Sequence, residues 1–303
     1  MRVLIVGLGS IAKKHIKALR DISHNIEILA LRRVNSSFIP LEGVKDIFEL
    51  ESEQLFDFII ISNPTSEHAI TISKFSKLNI PLFIEKPIFN SLKYSRLVNE
   101  ITRAQIPTYV ACNLRFLDCI NYLKNKIKEK SINEVNVYCG SYLPDWRPGI
   151  DFRKVYSANK ELGGGVHIDL IHEIDYLVYL FGYPDRTNKI FKSNSTLDIS
   201  SYDYSNYLLE YKGFCANIIL NYYRRTPKRM IELVCDDGEF EIDLLNNTVL
   251  WNQVLVFESE QRIKDTYLPQ MQYFIKNVLN GNGMEHFNDI SEAYKILRIC
   301  MED

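Results

Sequence analysis

The stretch "VLIVGLGSIAKKHIKAL", residues 3–19, places a β-branched run, a glycine turn and a helical pattern directly after one another. Val3–Val6 is apolar and rich in β-branched side chains, as expected of a buried strand. The residues after the turn recur at the spacing of one helix face: Ile11, His15, Ala18 and Leu19. Between strand and helix lies Gly7–Ala12, which has the form G-x-G-x-x-A. In this strand–turn–helix setting, the motif predicts a dinucleotide-binding fold.

The small residues of this motif each have a physical role. Gly7 permits the tight turn, Gly9 lets a pyrophosphate approach the backbone, and Ala12 lets the helix pack closely on the strand. The phosphates are expected at the helix N-terminus, on backbone N–H groups from Ser10 and Ile11 onward and at the positive end of the helix dipole. The alternative is a glycine turn that binds no ligand.

His15 resembles a catalytic residue when it is considered alone. It lies on the apolar stripe of the predicted helix, however, and such positions usually face the core. We therefore expect its ring to be packed between helix and sheet.

The end of the second predicted strand, "IEILALRR", bears on the choice of cofactor. NAD-binding folds place an acidic residue there, about 20 residues after the glycines, to hold the ribose 2′-OH. Here the position falls at Arg32 and Arg33, with Ser36 and Ser37 close behind. An arginine pairs with a 2′-phosphate that a carboxylate would repel. The sequence therefore predicts NADP in preference to NAD; the alternative is that Arg32 stacks on the adenine and both cofactors bind.

Three further apolar strands are followed by polar residues, and helical stretches separate them. The strands lie in "FDFIIISNPTSEH", "IPLFIEKPIFN" and "IPTYVACNLRF". This alternation predicts a doubly wound parallel sheet, in which ligands bind beyond the carboxyl ends of the strands. The polar and turn residues at those ends are Ser62, Asn63, Pro64, Glu85, Lys86 and Asn113.

Composition restricts the class of protein. A chain of 303 residues suits two domains, and 46% hydrophobic with 24% charged residues is an ordinary globular balance. The net charge of −2 argues against a nucleic-acid partner. The six cysteines form no C-x-x-C pair, which argues against a zinc ribbon or a redox motif. No apolar run approaches the roughly 20 residues that a membrane helix needs. We expect a soluble, cytoplasmic protein.

A second polar cluster, "GGGVHIDLIHEID", spans residues 163–175. Helical periodicity from Val166 onward places Asp169 and His172 on one face. A phosphate loop is disfavoured by the carboxylate of Asp169, and a zinc site of the H-E-x-x-H form fails because Tyr176 stands at the second histidine position. No metal is expected. A proton-transfer pair fits best, with His172 as general acid/base and a carboxylate that sets its tautomer. The alternative is a solvated polar face.

Three more candidates for the site lie within this stretch or just before it. Asp175 is a second carboxylate that can support His172, and His167 is a weaker candidate for proton transfer or substrate contact. Upstream lies a loop rich in arginine and aromatic residues: Trp146, Arg147, Arg153 and Tyr156. These side chains are suited to stack on a sugar ring and to pair with a carboxylate or phosphate. An interdomain or subunit contact is the alternative for that loop.

The motifs, in this order, resemble those of the glucose–fructose oxidoreductase/inositol dehydrogenase (Gfo/Idh/MocA) family. The resemblance rests on the N-terminal glycine motif, "SNPTSEH", Glu85-Lys86-Pro87, "CNLRF" and the glycine triplet with its Asp, His and Asp. It implies a Rossmann domain, residues 1–118, and a substrate-binding α/β domain with a large open mixed sheet, residues 119–303. It also implies a homodimer or homotetramer formed through that sheet.

The resemblance further implies residue roles. Lys86 would lie near the nicotinamide ribose and the reacting oxygen, with Glu85 orienting it. Asn63, Pro64 and His68 would line the cofactor, and Asn113 and Arg115 would lie at the mouth between the domains. One departure is the spacing from Asp169 to His172, which is three residues where the family has four.

Together these features predict an oxidoreductase that transfers a hydride between NADP, or NAD, and a hydroxyl or keto carbon of a sugar or nucleotide-sugar. The polar loop is similar to stretches in relatives linked to surface-polysaccharide sugars, and this resemblance implies a substrate of that kind. Two alternatives stay open: a non-sugar substrate such as an imine or a tetrapyrrole, and a cofactor-binding regulator without turnover.

Overall fold

The apolar run before Gly7 forms the central strand of a parallel sheet, with a parallel neighbour on each side. The computed structural model describes residues 1–33, 39–50, 55–281 and 288–301. The chain divides into two compact units. Unit 1 comprises Met1–Cys112 and Tyr267–Leu297, and unit 2 comprises Asn113–Thr266 and Arg298–Asp303.

The elements in the described ranges are numbered along the chain. The strands are β1 (Arg2–Val6), β2 (Glu27–Leu31), β3 (Val44–Ile47), β4 (Phe58–Ile61), β5 (Leu82–Glu85), β6 (Thr108–Ala111), β7 (Ile132–Tyr142), β8 (Arg186–Lys192), β9 (Tyr204–Glu210), β10 (Cys215–Asn221), β11 (Tyr223–Cys235), β12 (Glu239–Asp243), β13 (Thr248–Trp251) and β14 (Val254–Glu258). The helices are α1 (Ser10–Ile22), α2 (Thr65–Phe75), α3 (Ser95–Arg103), α4 (Asp118–Lys126), α5 (Val166–Asp169), α6 (His172–Phe181), α7 (Tyr267–Tyr273) and α8 (Ile290–Cys300). None of these described helices has the length and apolarity needed to cross a membrane.

Unit 1 is built on a sheet with the order β3-β2-β1-β4-β5-β6, in which every pair is parallel. All residues of β4, β5 and β6 are buried, as expected of strands covered on both faces. The strand order reverses direction between β1 and β4, and in such sheets ligands bind at this switch point, outside the carboxyl ends of the strands. The predicted doubly wound fold is therefore confirmed.

The last helical segment belongs to unit 1 rather than to the second domain, in which the sequence analysis placed it. Phe274 lies in the core of unit 1, with ring centroids 4.9 Å from Phe58 and 5.2 Å from Phe83. Tyr267 lies 5.5 Å from the ring of His15 on α1. The sequence analysis divides the chain at residues 118/119, whereas the chain of this structure leaves unit 1 at Cys112 and returns at Tyr267. The aromatic side chains of this late segment complete the core that covers β4 and β5.

Unit 2 contains a mixed sheet with the order β14-β13-β12-β11-β7-β10-β9-β8. Only the pair of β7 and β10 is parallel among these described strands. On β9, Ser205, Tyr207 and Leu209 are buried while Leu208 is exposed. One face of the sheet is therefore covered and the other is open, which confirms the predicted large open mixed sheet.

The predicted continuous helix after the glycine triplet is interrupted. Helix α5 ends at Asp169 and α6 begins at His172, so the two residues do not share one regular helix. The predicted polar face of α6 is also not solvated, since Glu173 and Tyr176 are both 0% exposed. Glu173 contacts Arg229 of β11, with Nε to Oε1 at 3.0 Å and Nη2 to Oε1 at 2.5 Å. A buried ion pair thus compensates a carboxylate that faces the sheet.

This pair generates a stability prediction. Arg229→Met should lower the free energy of unfolding by about 3–5 kcal/mol, because it leaves a buried carboxylate without its guanidinium. The double variant Arg229→Met/Glu173→Leu should lose much less, since both charges are removed together. The measurement is the denaturant midpoint of the intact chain, followed by circular dichroism.

The matched control is the exposed pair Lys17–Asp21, whose side chains are 78% and 38% exposed. Lys17→Met should cost less than about 1 kcal/mol. A double variant as unstable as Arg229→Met alone would contradict the assignment of the loss to an uncompensated charge.

Candidate functional site

The turns after β1 and β4 are pressed together at the carboxyl edge of the unit 1 sheet. Gly7 has φ +89°, and a Cβ there would lie 2.5 Å from the Cα and N of Asn63. The Ser62 hydroxyl donates to the carbonyl of Gly7 at 2.7 Å, and its N–H donates to Val6 at 2.9 Å. Only glycine fits this position, because both the backbone angle and the space exclude a side chain.

Helix α1 begins immediately after this contact. Gly9 is its N-cap and provides no side-chain cap, and no acidic residue occupies the first turn within this fully described segment. Ala12 is 0% exposed, as close packing of helix on sheet requires. The first N–H groups of the helix, at Ser10 and Ile11, have no intrahelical acceptor, and such a terminus is suited to a phosphate.

A cavity of about 770 Å³ lies beside these turns and is formed by unit 1 alone. Its size is within the range of small-molecule sites. The lining includes residues from the ends of β1, β2 and β4: Gly7, Leu8, Leu31, Arg32, Arg33, Asn63, Pro64 and Glu67. Apolar side chains form much of the remaining wall, and three polar residues also line it: Val6, Phe48, Leu50, Ile70 and Phe75, with Glu49, Thr71 and Lys74. An apolar wall beside a polar rim is suited to an adenosine group.

Both arginines at the cavity contact a carboxylate. Arg32 Nη1 lies 3.4 Å from Asp46 Oδ1, and the two side chains are 12% and 13% exposed. Arg33 contacts Glu67 and is 72% exposed. Glu67 raises the pKa of the Arg33 guanidinium through this hydrogen bond and through its charge. Glu67 also accepts from Asn63 Nδ2 at 3.2 Å. Ser36 and Ser37 lie outside the described residues.

His68 lies behind the turn after β4 and is 1% exposed. Its Nδ1 is 3.1 Å from the carbonyl of Ile88, and its Nε2 is 3.0 Å from that of Asn63. Burial lowers the pKa of this imidazole, so the ring is neutral at neutral pH and donates to one of the two carbonyls. In this position the side chain supports the turn of Asn63.

Glu85 is the last residue of β5, and Lys86 follows it at the same edge of the sheet. Glu85 is 7% exposed, and its Oε1 lies 2.5 Å from Nε2 of His15. Its Oε2 accepts from the backbone N–H of Lys86 at 3.2 Å. Lys86 itself is half-buried. The carboxylate thus joins helix α1 to the backbone that carries the candidate proton-transfer lysine, and the expectation that His15 is packed between helix and sheet is confirmed.

In unit 2, Asn113 and Arg115 are both engaged with protein groups. Asn113 Nδ2 donates to Thr266 Oγ1 at 2.7 Å. Arg115 makes a bidentate contact with Asp175, with Nε to Oδ2 at 2.9 Å and Nη2 to Oδ1 at 2.7 Å. The two side chains are 3% and 1% exposed. Asp175 is therefore occupied by Arg115, which reduces its capacity to support His172.

The glycine triplet packs against the loop before it. A Cβ on Gly164 would collide with the carbonyl of Tyr156. The Tyr156 hydroxyl donates to the carbonyl of Gly163 at 2.8 Å. Gly164 therefore allows a close approach of its backbone to that of the preceding loop.

Asp169 has a partner that the sequence analysis missed. The hydroxyl of Tyr222 donates to Asp169 Oδ2 at 2.5 Å. Tyr222 is fully buried, and burial together with Asp169 raises its pKa well above the ordinary value, so it remains a donor. Trp146 packs edge-on against Tyr222 at 5.3 Å. The available signal was the polar run "NYYRR", residues 221–225, where β10 ends and β11 begins.

The other candidates of unit 2 differ in exposure. His172 opens α6 and is half-buried, and Trp146, Arg147 and Arg153 are exposed. His167 is 5% exposed, with Phe191 and Tyr202 edge-on at 5.3 Å each. Burial, and secondarily Lys160, lowers its pKa to about 4, so its ring is neutral at pH 7. Within the described ranges, no group of three or more potential ligands could hold a metal ion.

Comparisons with known proteins identify the family. Residues 1–110 match the model described as "Oxidoreductase family, NAD-binding Rossmann fold", and residues 120–241 match "GFO/IDH/MocA C-terminal domain". Myo-inositol 2-dehydrogenase of Thermotoga maritima is 24% identical over 307 residues, which span 93% of this chain and 89% of that protein.

Two solved structures share the fold over the whole chain. UDP-N-acetylglucosamine 3-dehydrogenase from Acidithiobacillus ferrooxidans is 16% identical with a TM-score of 0.75, covering 99% of this chain and 95% of the other. A putative NADPH-dependent oxidoreductase from Desulfitobacterium hafniense is 15% identical with a TM-score of 0.82, covering 99% and 93%. The family models match most of the chain, and we conclude that it belongs to the Gfo/Idh/MocA family of NAD-binding oxidoreductases.

Proposed function

We propose that this oxidoreductase transfers a hydride between NADP and a hydroxyl-bearing or keto carbon of a sugar or nucleotide-sugar, of the kind used in surface polysaccharides. The observation that carries the proposal is the strand end at Glu85 and Lys86, where a buried carboxylate fixes the backbone of a half-buried lysine beside the helix of the glycine loop. The inositol and nucleotide-sugar dehydrogenases among its relatives support a polyol or sugar as substrate.

The bound nicotinamide would supply or accept the hydride. The protein must then remove the hydroxyl proton in one direction and donate it in the other. Lys86 is proposed to hold the reacting oxygen, since an ammonium stabilises a developing alkoxide. His172 is proposed to exchange the proton as general acid/base. Asp169 is proposed as its supporting carboxylate, because Arg115 binds both oxygens of the buried Asp175, whereas the Tyr222 hydroxyl binds one oxygen of Asp169, which is half-buried.

We also propose that the loop rich in arginine and aromatic residues contacts the substrate. Trp146, Arg147 and Arg153 are exposed and are suited to stack on a sugar and bind an acidic group. Tyr156 and His167 are packed against neighbouring residues, so we assign them to the shape of this region.

We also propose a homodimer or homotetramer formed through the open face of the unit 2 sheet. On this face Ile190 is 53% exposed and Leu208 is 39% exposed. Strand pairing places the two on the same side of β8 and β9. Burial of such apolar side chains against a second copy would be favourable.

Turnover should depend on the two proton-handling residues. Lys86→Met and His172→Ala should each reduce kcat by about 10²–10⁴, the usual range for a general acid or base. Cofactor affinity should be retained. The measurement is nicotinamide absorbance over a panel of sugars and nucleotide-sugars. Near-normal turnover in both variants would refute the roles, and tight cofactor binding without turnover on any substrate would favour the regulator.

Alanine substitutions at the two glycines of the motif should have different effects on stability and on cofactor binding. Gly7→Ala should destabilise unit 1, because φ +89° and the backbone of Asn63 both exclude a side chain. Gly9→Ala is the matched variant: a Cβ there meets nothing within 4 Å, so the fold should persist. Cofactor affinity should nevertheless fall, because the added methyl occupies the approach of the pyrophosphate. Thermal unfolding and cofactor titration separate the effects; unchanged cofactor affinity in Gly9→Ala would contradict this phosphate site.

Cofactor choice should depend on the Arg33–Glu67 pair. The parent protein should bind NADP more tightly than NAD, and Arg33→Ala should weaken NADP while sparing NAD. Glu67→Gln should raise NADP affinity relative to NAD about two- to fivefold, the scale of one exposed ion pair, because a 2′-phosphate no longer competes with a carboxylate. Fluorescence titration gives the dissociation constants.

The control for this series is Arg96→Ala, which removes an exposed arginine from an ordinary helix pair with Glu100. It should change neither affinity. Equal affinities in the parent, or tighter binding of NAD, would refute the NADP preference.

A further inference from the structure

One fully buried histidine contacts the segment that carries the proposed proton-handling lysine. His15 lies on α1, and its side chain is 0% exposed. Its Nε2 is 2.5 Å from Glu85 Oε1, and the other oxygen of Glu85 accepts from the N–H of Lys86 at 3.2 Å. With the carboxylate ionised, Nε2 must be the donor. A chain of two hydrogen bonds therefore runs from the helix of the glycine loop to the backbone of Lys86.

The ring of His15 is fixed in orientation by aromatic neighbours. Phe83 of β5 packs edge-on at 4.9 Å, and Tyr267 of α7 packs edge-on at 5.5 Å. These contacts on a fully buried ring restrict its rotation away from Glu85. The carboxylate consequently has a donor whose direction is set by the core of unit 1.

Packing alone does not account for this arrangement. A buried polar pair is expensive to desolvate, and apolar side chains of similar volume often stabilise a core as well or better. The second oxygen of Glu85 is directed at the backbone of Lys86 rather than at another element of the core. What the pair provides is a fixed position for the residue after β5.

We propose that His15 is a positioning residue for Lys86, acting through Glu85. Through Glu85, it links the backbone of the lysine to α1, the helix whose N-terminus is suited to the cofactor phosphates. The position of Lys86 is therefore fixed relative to the proposed phosphate site. The proposal rests on the proposed role of Lys86 in proton transfer. Contacts that fix a reacting group in this way can change rates strongly although they touch no substrate.

Two substitutions of His15 by side-chain amides test whether an N–H donor must reach Glu85. His15→Gln can bring an N–H close to the place of Nε2, whereas His15→Asn is too short. His15→Asn should lower kcat about 10–100-fold, the usual effect of losing a supporting contact, with the cofactor dissociation constant unchanged. His15→Gln should recover most of this loss. Ile16→Ala, which opens the buried neighbouring position on α1, is the control for destabilisation alone and should leave kcat of the folded enzyme unchanged.

The deciding measurement is the same substitution in a Lys86→Met background. If His15 acts through Lys86, His15→Asn should cause no further loss of kcat there. An equal fold-loss in both backgrounds, or a weaker cofactor affinity that accounts for the loss, would overturn the proposal. A Lys86→Met enzyme with near-normal turnover would instead refute the role of Lys86, and with it this inference. That outcome is recognisable from the single variant.

Discussion

The cofactor side of this protein depends on one close approach, between the backbone of Gly7 and that of Asn63. The two turns follow adjacent parallel strands, β1 and β4, at the point where the strand order reverses. Because no side chain separates them, α1 can begin directly above the sheet and the turn of Asn63 can form one wall of the cavity. His68, buried behind that turn, holds it from the other side.

In unit 2, two buried carboxylates of helix α6 are each paired with an arginine. Arg115 holds Asp175, and Arg229 holds Glu173, so two carboxylates of α6 are engaged on their own unit. A buried carboxylate without its partner lowers the stability of the folded protein. Each arginine is therefore needed to compensate the charge of its carboxylate. The carboxylates consequently differ in what they do. Those of α6 fix the helix, whereas Asp169, on the preceding short helix, is held by a tyrosine hydroxyl and stays half-buried.

Features that depend on residues close together in the chain could be predicted from the sequence. Contacts between residues far apart in the chain could not. The glycine motif, the apolar strands and the E-K-P turn are local patterns, and they predicted the Rossmann unit and its strand ends correctly. The bidentate contact joins residues 115 and 175, and the pair of Tyr222 with Asp169 spans a similar distance along the chain. Periodicity carries no information about such partners. It also placed Asp169 and His172 on one helix, because the break at Leu170 and Ile171 lies in an apolar run without proline or glycine.

The charges at the cavity show why residue identity alone is a weak guide to cofactor choice. Two arginines at the end of β2 indicate a phosphate site when they are read from the sequence. In the folded chain each contacts a carboxylate, Asp46 or Glu67, so neither guanidinium is an uncompensated charge. Asp46 and Arg32 are mostly buried, whereas Arg33 is largely exposed and Glu67 partly so. Of these two pairs, that of Arg33 and Glu67 is the one that solvent screens, so the proposed 2′-phosphate would displace a carboxylate there at lower cost than at Arg32.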